Sequence, residues 1–301
     1  QKYAFEDYEE AHIHSMLGNL IDSALLVQTK NHSIINFNDN KPNLEACKFL
    51  KGKYGKIDLA LLNFNAANCY PACFDNLTHQ EKISEKDRII KRNYDNMIEL
   101  ANELMPVTVM PFAGTYILGG KEHTKNQYLA AGSAENCKNY IQESVLADVI
   151  NLSEHNEFDL SSRKINGQYV DFSRLHEDEL VDKKLKQNKY PYEEDPMPDI
   201  TILVKDLKRA ALNMKNRIEK FGASCKTQVF IKIQDEMIEV HNSGKEQNLR
   251  LECSMDLRLL RRVLDRKANW NNAEIGAHIN FMRSPNTTEP DIHTALQFLH
   301  L

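Results

Sequence analysis

No apolar run in this chain approaches the roughly 20 residues needed to cross a bilayer. The opening Gln-Lys-Tyr-Ala-Phe-Glu-Asp-Tyr-Glu-Glu also lacks the apolar core of a secretory signal. A cytoplasmic location with no membrane partner is therefore the expectation. Basic charge is not in excess, since 38 Lys and Arg stand against 43 Asp and Glu, giving a net charge of -5 and a pI near 6.2. Counterion release on nucleic acid needs a clustered basic surface, so this balance argues against a general nucleic-acid binder, while a small anion can still be held by local Arg and Lys. The 6 cysteines (Cys47, Cys69, Cys73, Cys137, Cys225 and Cys253) are too dispersed for a disulfide framework and read as reduced thiols. Cys69 and Cys73 have no further ligand at short spacing, which makes a structural pair of them. There is no internal repeat.

What is present suffices for a substantial core: 301 residues with 42% hydrophobic content, enough for one large or two smaller domains. Short apolar runs at Ser23 to Gln28 and Ser33 to Phe37, joined by Thr29 to His32, read as a hairpin. A strand over Ile57 to Leu62 is followed by a helix from about Ser84 to Met105, with Ile89, Ile90, Tyr94, Met97, Ile98, Ala101 and Leu104 on one stripe. Ser84 is its expected N-cap and Pro106 its stop. The strand Val107 to Met110 completes a βαβ unit and implies parallel pairing. A shorter helix is predicted over Ala134 to Ala147.

From Ser153 to Pro198 the composition turns mixed-charge and weakly apolar, and it ends in the proline-rich Tyr190-Pro-Tyr-Glu-Glu-Asp-Pro-Met-Pro. Beyond it, Leu203, Leu207, Ala210, Met214, Ile218 and Phe221 mark a helix face that Gly222 closes. Val229 to Ile233, Met237 to His241 and Leu249 to Cys253 alternate apolar with polar, as an antiparallel meander does. Helices near Asp256 to Leu264 and Pro290 to Leu301 complete a small α+β domain.

Two strand-to-loop exits carry most of the chemistry. Leu62-Asn-Phe-Asn-Ala-Ala-Asn-Cys-Tyr-Pro-Ala-Cys-Phe74 and Val109-Met-Pro-Phe-Ala-Gly-Thr-Tyr116 join apolar strands to polar loops, and open α/β sheets bind ligands just beyond the carboxyl ends of their strands. Asn65 and Tyr70 are candidate catalytic groups, and Asn63 and Asn68 candidate substrate-binding groups, able to meet sugar or phosphate oxygens without carrying charge. The bland reading of both stretches is a polar cap on an ordinary strand end. In the last hundred residues, Trp270, Asn272 and His278 belong to the densest polar-aromatic cluster, suited to stacking on a ring or to anchoring a turn. Arg258, Arg261, Arg262 and Arg266 recur at helical spacing, either to hold an anion or as a solvated face.

These two exits, together with Trp270-Asn-Asn-Ala-Glu-Ile-Gly276 and Arg283-Ser-Pro285, resemble in order the C-terminal part of the metallo-β-lactamase-fold proteins related to CMP-N-acetylneuraminate hydroxylase. The resemblance implies an α/β architecture, the later portion of a metallo-β-lactamase-like αββα sandwich over residues 1–150, to which composition and periodicity add a charged connector over 151–198 and the small α+β domain over 199–301. It implies a divalent metal, zinc or iron, and Asp39, at the end of a strand, is the best ligand candidate, followed by His14 and Asp22. Asp39 read from turn chemistry alone caps its own backbone.

The sequence departs from the superfamily in two ways. There is no His-x-His-x-Asp-His run, and Phe112-Ala-Gly stands where a final His ligand is usual. The implied hydroxylase chemistry further needs an electron-transfer partner, because no paired Cys-x-His and Cys-x-x-His Rieske ligands occur. The chain is accordingly expected to begin after the first half of the fold. The implied function is a metal-dependent hydrolase or hydroxylase acting on a nucleotide-sugar or similar phosphorylated small molecule. The alternative is a metal-free binding or scaffold protein that retains the fold.

Overall fold

The computed structural model describes residues 24–170, 174–220, 222, 225–242, 244 and 249–301. It is a mixed α/β protein. The first unit runs β1 (Leu25–Gln28), β2 (Ser33–Asn36), α1 (Leu44–Tyr54), β3 (Leu59–Asn63), α2 (His79–Leu104), β4 (Thr108–Phe112), α3 (Ala134–Ile141) and β5 (Asp148–Val149). Its 5 strands lie side by side in chain order, with β1 antiparallel to β2 and every later pair parallel. Each parallel step crosses over through a helix, and right-handed crossovers stepping one way along a sheet place all the helices on one face. The registered row Ile35, Ala60 and Val109 accordingly packs with Leu50 of α1, Met97 and Leu104 of α2 and Ile141 of α3. The opposite face leaves Leu25 and Val27 52% and 46% exposed.

A hairpin of β6 (Glu157–Asp159) and β7 (Lys164–Asn166) and the helix α4 (Arg174–Lys183) lead to the C-terminal unit. That unit comprises α5 (Ile200–Lys220), β8 (Gln228–Ile233), β9 (Glu236–His241), β10 (Arg250–Ser254), α6 (Leu257–Leu264), α7 (Trp270–Ile275), β11 (Asn280–Ser284) and α8 (Pro290–Leu296). Its sheet order is β11-β10-β8-β9. The apolar stripe Leu203, Leu207, Ala210, Met214 and Ile218 of α5 is buried as its 3.6-residue period requires, whereas Phe221 lies outside the described residues.

The alternation in β8, β9 and β10 does not make a meander, because β10 pairs with β8 in parallel and β11 with β10 antiparallel. Alternation specifies one buried face, and a parallel partner satisfies it equally well. The long helix starts earlier than Ser84. Thr78 caps it, accepting from Glu81 N while the Glu81 carboxylate accepts from Thr78 N at 2.7 Å. It ends with Met105 in the left-handed region just before Pro106. Helix α3 stops at Ile141, short of Ala147, so that the chain can turn into β5.

The two units meet through the loop that leaves β3. Phe281 N of β11 donates to Cys73 O at 2.8 Å, Asp75 N donates to Phe281 O at 2.7 Å, and Arg283 N donates to Asn76 Oδ1 at 3.1 Å. Phe74 stacks on Phe281 with centroids 5.2 Å apart. Cys69, Ala72, Cys73 and Phe74 thereby join the core of the C-terminal unit.

The start of the same loop is strapped from below. Asn65 Oδ1 accepts from Gly132 N at 2.9 Å, and Asn65 Nδ2 donates to Gly132 O at 2.9 Å and to Gly114 O at 3.2 Å. Gly132 has to be glycine, since a Cβ there would lie 2.0 Å from the Tyr94 hydroxyl. Asn65→Ala orphans those backbone groups, and unmet buried groups cost about 1–3 kcal/mol each. A loss of about 3 kcal/mol in urea unfolding is expected. A change below about 1 kcal/mol would mean the strap carries no stability.

Candidate functional site

A cleft of about 680 Å³ opens where the β3 loop, α2, α7, β11 and α8 converge. Its deepest cation is Arg283, only 8% exposed. The guanidinium sits 4.5 Å from the Tyr70 ring centre and 4.6 Å from that of Phe74. Arg283 Nε donates to Asn286 Oδ1 at 2.6 Å and an NH group donates to Thr288 Oγ1 at 2.8 Å. These partners are neutral. Burial lowers the Arg283 pKa, as expected of a cation taken from water without a carboxylate in hydrogen-bond contact.

On the α2 wall, Tyr70 Oη donates to Glu85 Oε2 at 2.8 Å, and Arg88 holds the same carboxylate through Nε at 3.0 Å and NH2 at 2.6 Å. The Arg88 bonds keep the Glu85 pKa below the usual carboxylate range, so Glu85 stays ionised. Burial, helped by the Glu85 bond, raises the Tyr70 pKa and keeps the phenol protonated. Arg92, one turn on along α2, faces the same cleft.

The opposite wall carries Glu274 and His293. Glu274 Oε2 accepts from Trp270 Nε1 at 3.2 Å, and its Oε1 lies 2.9 Å from His293 Nδ1, out of line for a hydrogen bond but at ion-pair distance. The His293 ring is set edge-to-face on Phe281. The cleft therefore combines 3 arginines with 2 carboxylates and an imidazole. The arginines can hold an anion, and the imidazole stands against the Glu274 carboxylate.

Of the residues singled out from sequence, Asn68 and Tyr70 line this cleft. Asn65 is spent on the strap. Asn63 Oδ1 accepts from Asn65 N, and Asn63 lines a separate cavity. Trp270 is 1% exposed and serves as core under Glu274. Asn272 is exposed beside the Asn269 cap, and the cleft is lined by its neighbour Asn271 instead. His278 stands away from the cleft, edge-on to Tyr190 and Tyr192, with Nδ1 3.2 Å from Tyr192 Oη. Of the arginine row, Arg258 is paired with Asp256, Arg261 with Asp206 and Asp265, and Arg262 with Asp195, while Arg266 is exposed beyond the end of α6.

Sequence pattern does not mark Arg283, Arg88, Arg92, Glu85 or His293 as site residues. Arg283 has a signal, the Arg-Ser-Pro ending, but nothing in that motif says that the arginine is buried. The implied metal finds no coordination set here. Asp39 is an exposed residue in the turn after Asn38 (φ 55°), and among the described residues no group of three His, Cys, Asp or Glu could hold a metal ion. His14 and Asp22 lie outside the described residues.

Asp39→Ala is expected to leave zinc, iron and manganese per chain equal to wild type by elemental analysis, and stoichiometric metal that vanishes with the mutation would restore Asp39 as a ligand. A second expectation concerns pH. Burial lowers the His278 pKa, so the unfolded chain binds this proton more readily than the folded one. Stability from neutral His278 is present above the unfolded pKa of about 6.5 and is lost as pH falls through the folded value. His278→Gln should flatten the stability profile on the acid side of about pH 6.5 in urea titrations, whereas an unchanged slope would show that burial does not govern this imidazole.

No family model matches the chain, and no curated protein and no solved structure matches it.

Proposed function

We propose that the cleft binds a phosphorylated small molecule of the nucleotide-sugar class, with Arg283 as its anionic anchor. The observation that carries this reading is the buried Arg283 guanidinium, held in a fixed plane by Asn286 and Thr288 and bonded to neutral groups only. Glu85 acts on Arg283 electrostatically without bonding it, and a phosphate oxygen would add direct charge-assisted bonds to the buried cation. Arg88 and Arg92 extend the positive field along α2, and Glu85 holds Tyr70 in place beneath it. Asn68, whose Oδ1 accepts from Tyr70 N at 2.7 Å, offers an uncharged amide to the less charged part of the ligand.

The αββα sandwich belongs to the same reading. Helices cover one face of the first sheet while Leu25 and Val27 remain exposed on the other, which supports a second sheet layer against that face. Metal-dependent hydrolysis or hydroxylation of the bound ligand is the chemistry that the resemblance implies. The described residues do not fit the metal, so the cleft's own side chains carry the roles: the arginines bind, and Tyr70 and Asn68 orient.

Isothermal titration with inorganic phosphate and with a nucleoside 5′-monophosphate tests the reading. Arg283→Met should weaken both by at least about tenfold, or 1.4 kcal/mol, with Arg92→Met smaller in effect because that residue is exposed. Equal affinity in wild type and Arg283→Met would sink the proposal.

A further inference from the structure

We infer that the chain has a second ligand site, separate from the cleft, in which Lys41, Asn63 and Asn93 take up a small carboxylate. These residues line a cavity of about 350 Å³ beside Leu44, Asn96 and Glu99. It lies past the carboxyl ends of β2 and β3, where Lys41 follows the first strand and Asn63 ends the second.

The orientation of one amide sets the chemistry. Lys41 Nζ donates to Asn93 Oδ1 at 3.0 Å. An ammonium has only donors to offer, so the carbonyl end of Asn93 must face it and the NH2 end must face elsewhere. Asn93 is 2% exposed, and its Nδ2 is buried with no acceptor among the described residues. A native buried donor is nearly always paired, so this one calls for an oxygen acceptor.

Asn63 adds a second donor of the same kind. It is 8% exposed, and its Oδ1 already accepts from Asn65 N at 3.1 Å, which leaves the NH2 as the end suited to a further partner. The N-terminus of the 11-residue helix α1 begins at Leu44 in the cavity wall and adds its positive end.

Charge selects a carboxylate over phosphate. The lining carries the Lys41 ammonium, with Arg92 nearby but outside it, and the carboxylate of Glu99 on the wall disfavours a second negative charge on the ligand. The two oxygens of a carboxylate can accept from the ammonium and from both amides together. Burial, and the nearby Arg92, lower the Lys41 pKa, which an anionic ligand would reverse.

The test is isothermal titration of the full chain with sodium acetate and sodium glycolate, against sodium chloride and sodium phosphate at matched ionic strength. Saturable carboxylate binding is expected in wild type and, unchanged, in Arg283→Met. Lys41→Met should weaken it at least tenfold. Asn93→Asp keeps the shape and gives Lys41 a counter-charge, so it should fold, and it should abolish binding by replacing the donor with a second anion. Absence of saturable binding in wild type, wild-type affinity in Lys41→Met or Asn93→Asp, or tighter binding of phosphate than of carboxylate in Arg283→Met would each overturn the site. Loss of carboxylate binding in Arg283→Met would place the anion in the cleft instead, and also overturn it. Phosphate binding that fails in wild type while carboxylate binding persists would count against the cleft alone.

Discussion

The pairing of the β3 loop with β11 is the interaction on which the rest of the arrangement depends. β11 is an edge strand, and unpaired edge groups are expensive to bury and hazardous to expose. Phe281 meets that requirement with the backbone of Cys73 and Asp75 rather than with another strand of its own sheet. Because the loop belongs to the first unit, the bonds that finish one sheet also fix the two units against each other. The Phe74 and Phe281 rings then stack across the seam, and Tyr70 and Phe74 are carried to the guanidinium of Arg283. The cleft is thus a product of edge protection: neither unit alone contains its walls.

Helix α2 is the second shared element. Its 26 residues, fixed at the start by the Thr78 and Glu81 capping box, give one face to the core and turn its polar faces to two cavities. Glu85, Arg88 and Arg92 look toward the C-terminal unit, and Asn93 and Asn96 look toward the ends of β2 and β3. The positive charge along this helix is unevenly committed. Arg88 is tied to Glu85, whereas Arg283 across the cleft bonds only neutral groups.

Much of the fold was legible in the sequence, because periodicity reports burial directly. The stripe from Ile90 to Leu104 and the one from Leu203 to Ile218 pack as their spacing requires, whereas Ile89 lines the cleft, and the parallel β3-α2-β4 unit follows from strand, helix, strand order. Strand direction in the C-terminal sheet was not legible, since β10 alternates identically whether its neighbour runs parallel or antiparallel. Helix start was ambiguous because Thr78-His-Gln-Glu81 and Ser84-Glu-Lys-Asp87 both present a hydroxyl with an acid three residues on. At the site, polar type alone could not separate a ligand-facing amide from a structural one. Asn65 became a strap and Asn68 a cleft residue on the strength of contacts more than 40 residues away in sequence. Arg283 was hidden for the same reason, since its burial is created by a loop some 200 positions earlier.

The chain's 1 tryptophan has a consequence of a different kind. Trp270 is enclosed, yet its indole N–H bonds the carboxylate that forms one wall of the cleft and stands beside His293. The indole emission of the protein therefore comes from a single fluorophore hydrogen-bonded to the Glu274 carboxylate. The molecule carries its own label at that wall of the cleft, free of background from any other indole.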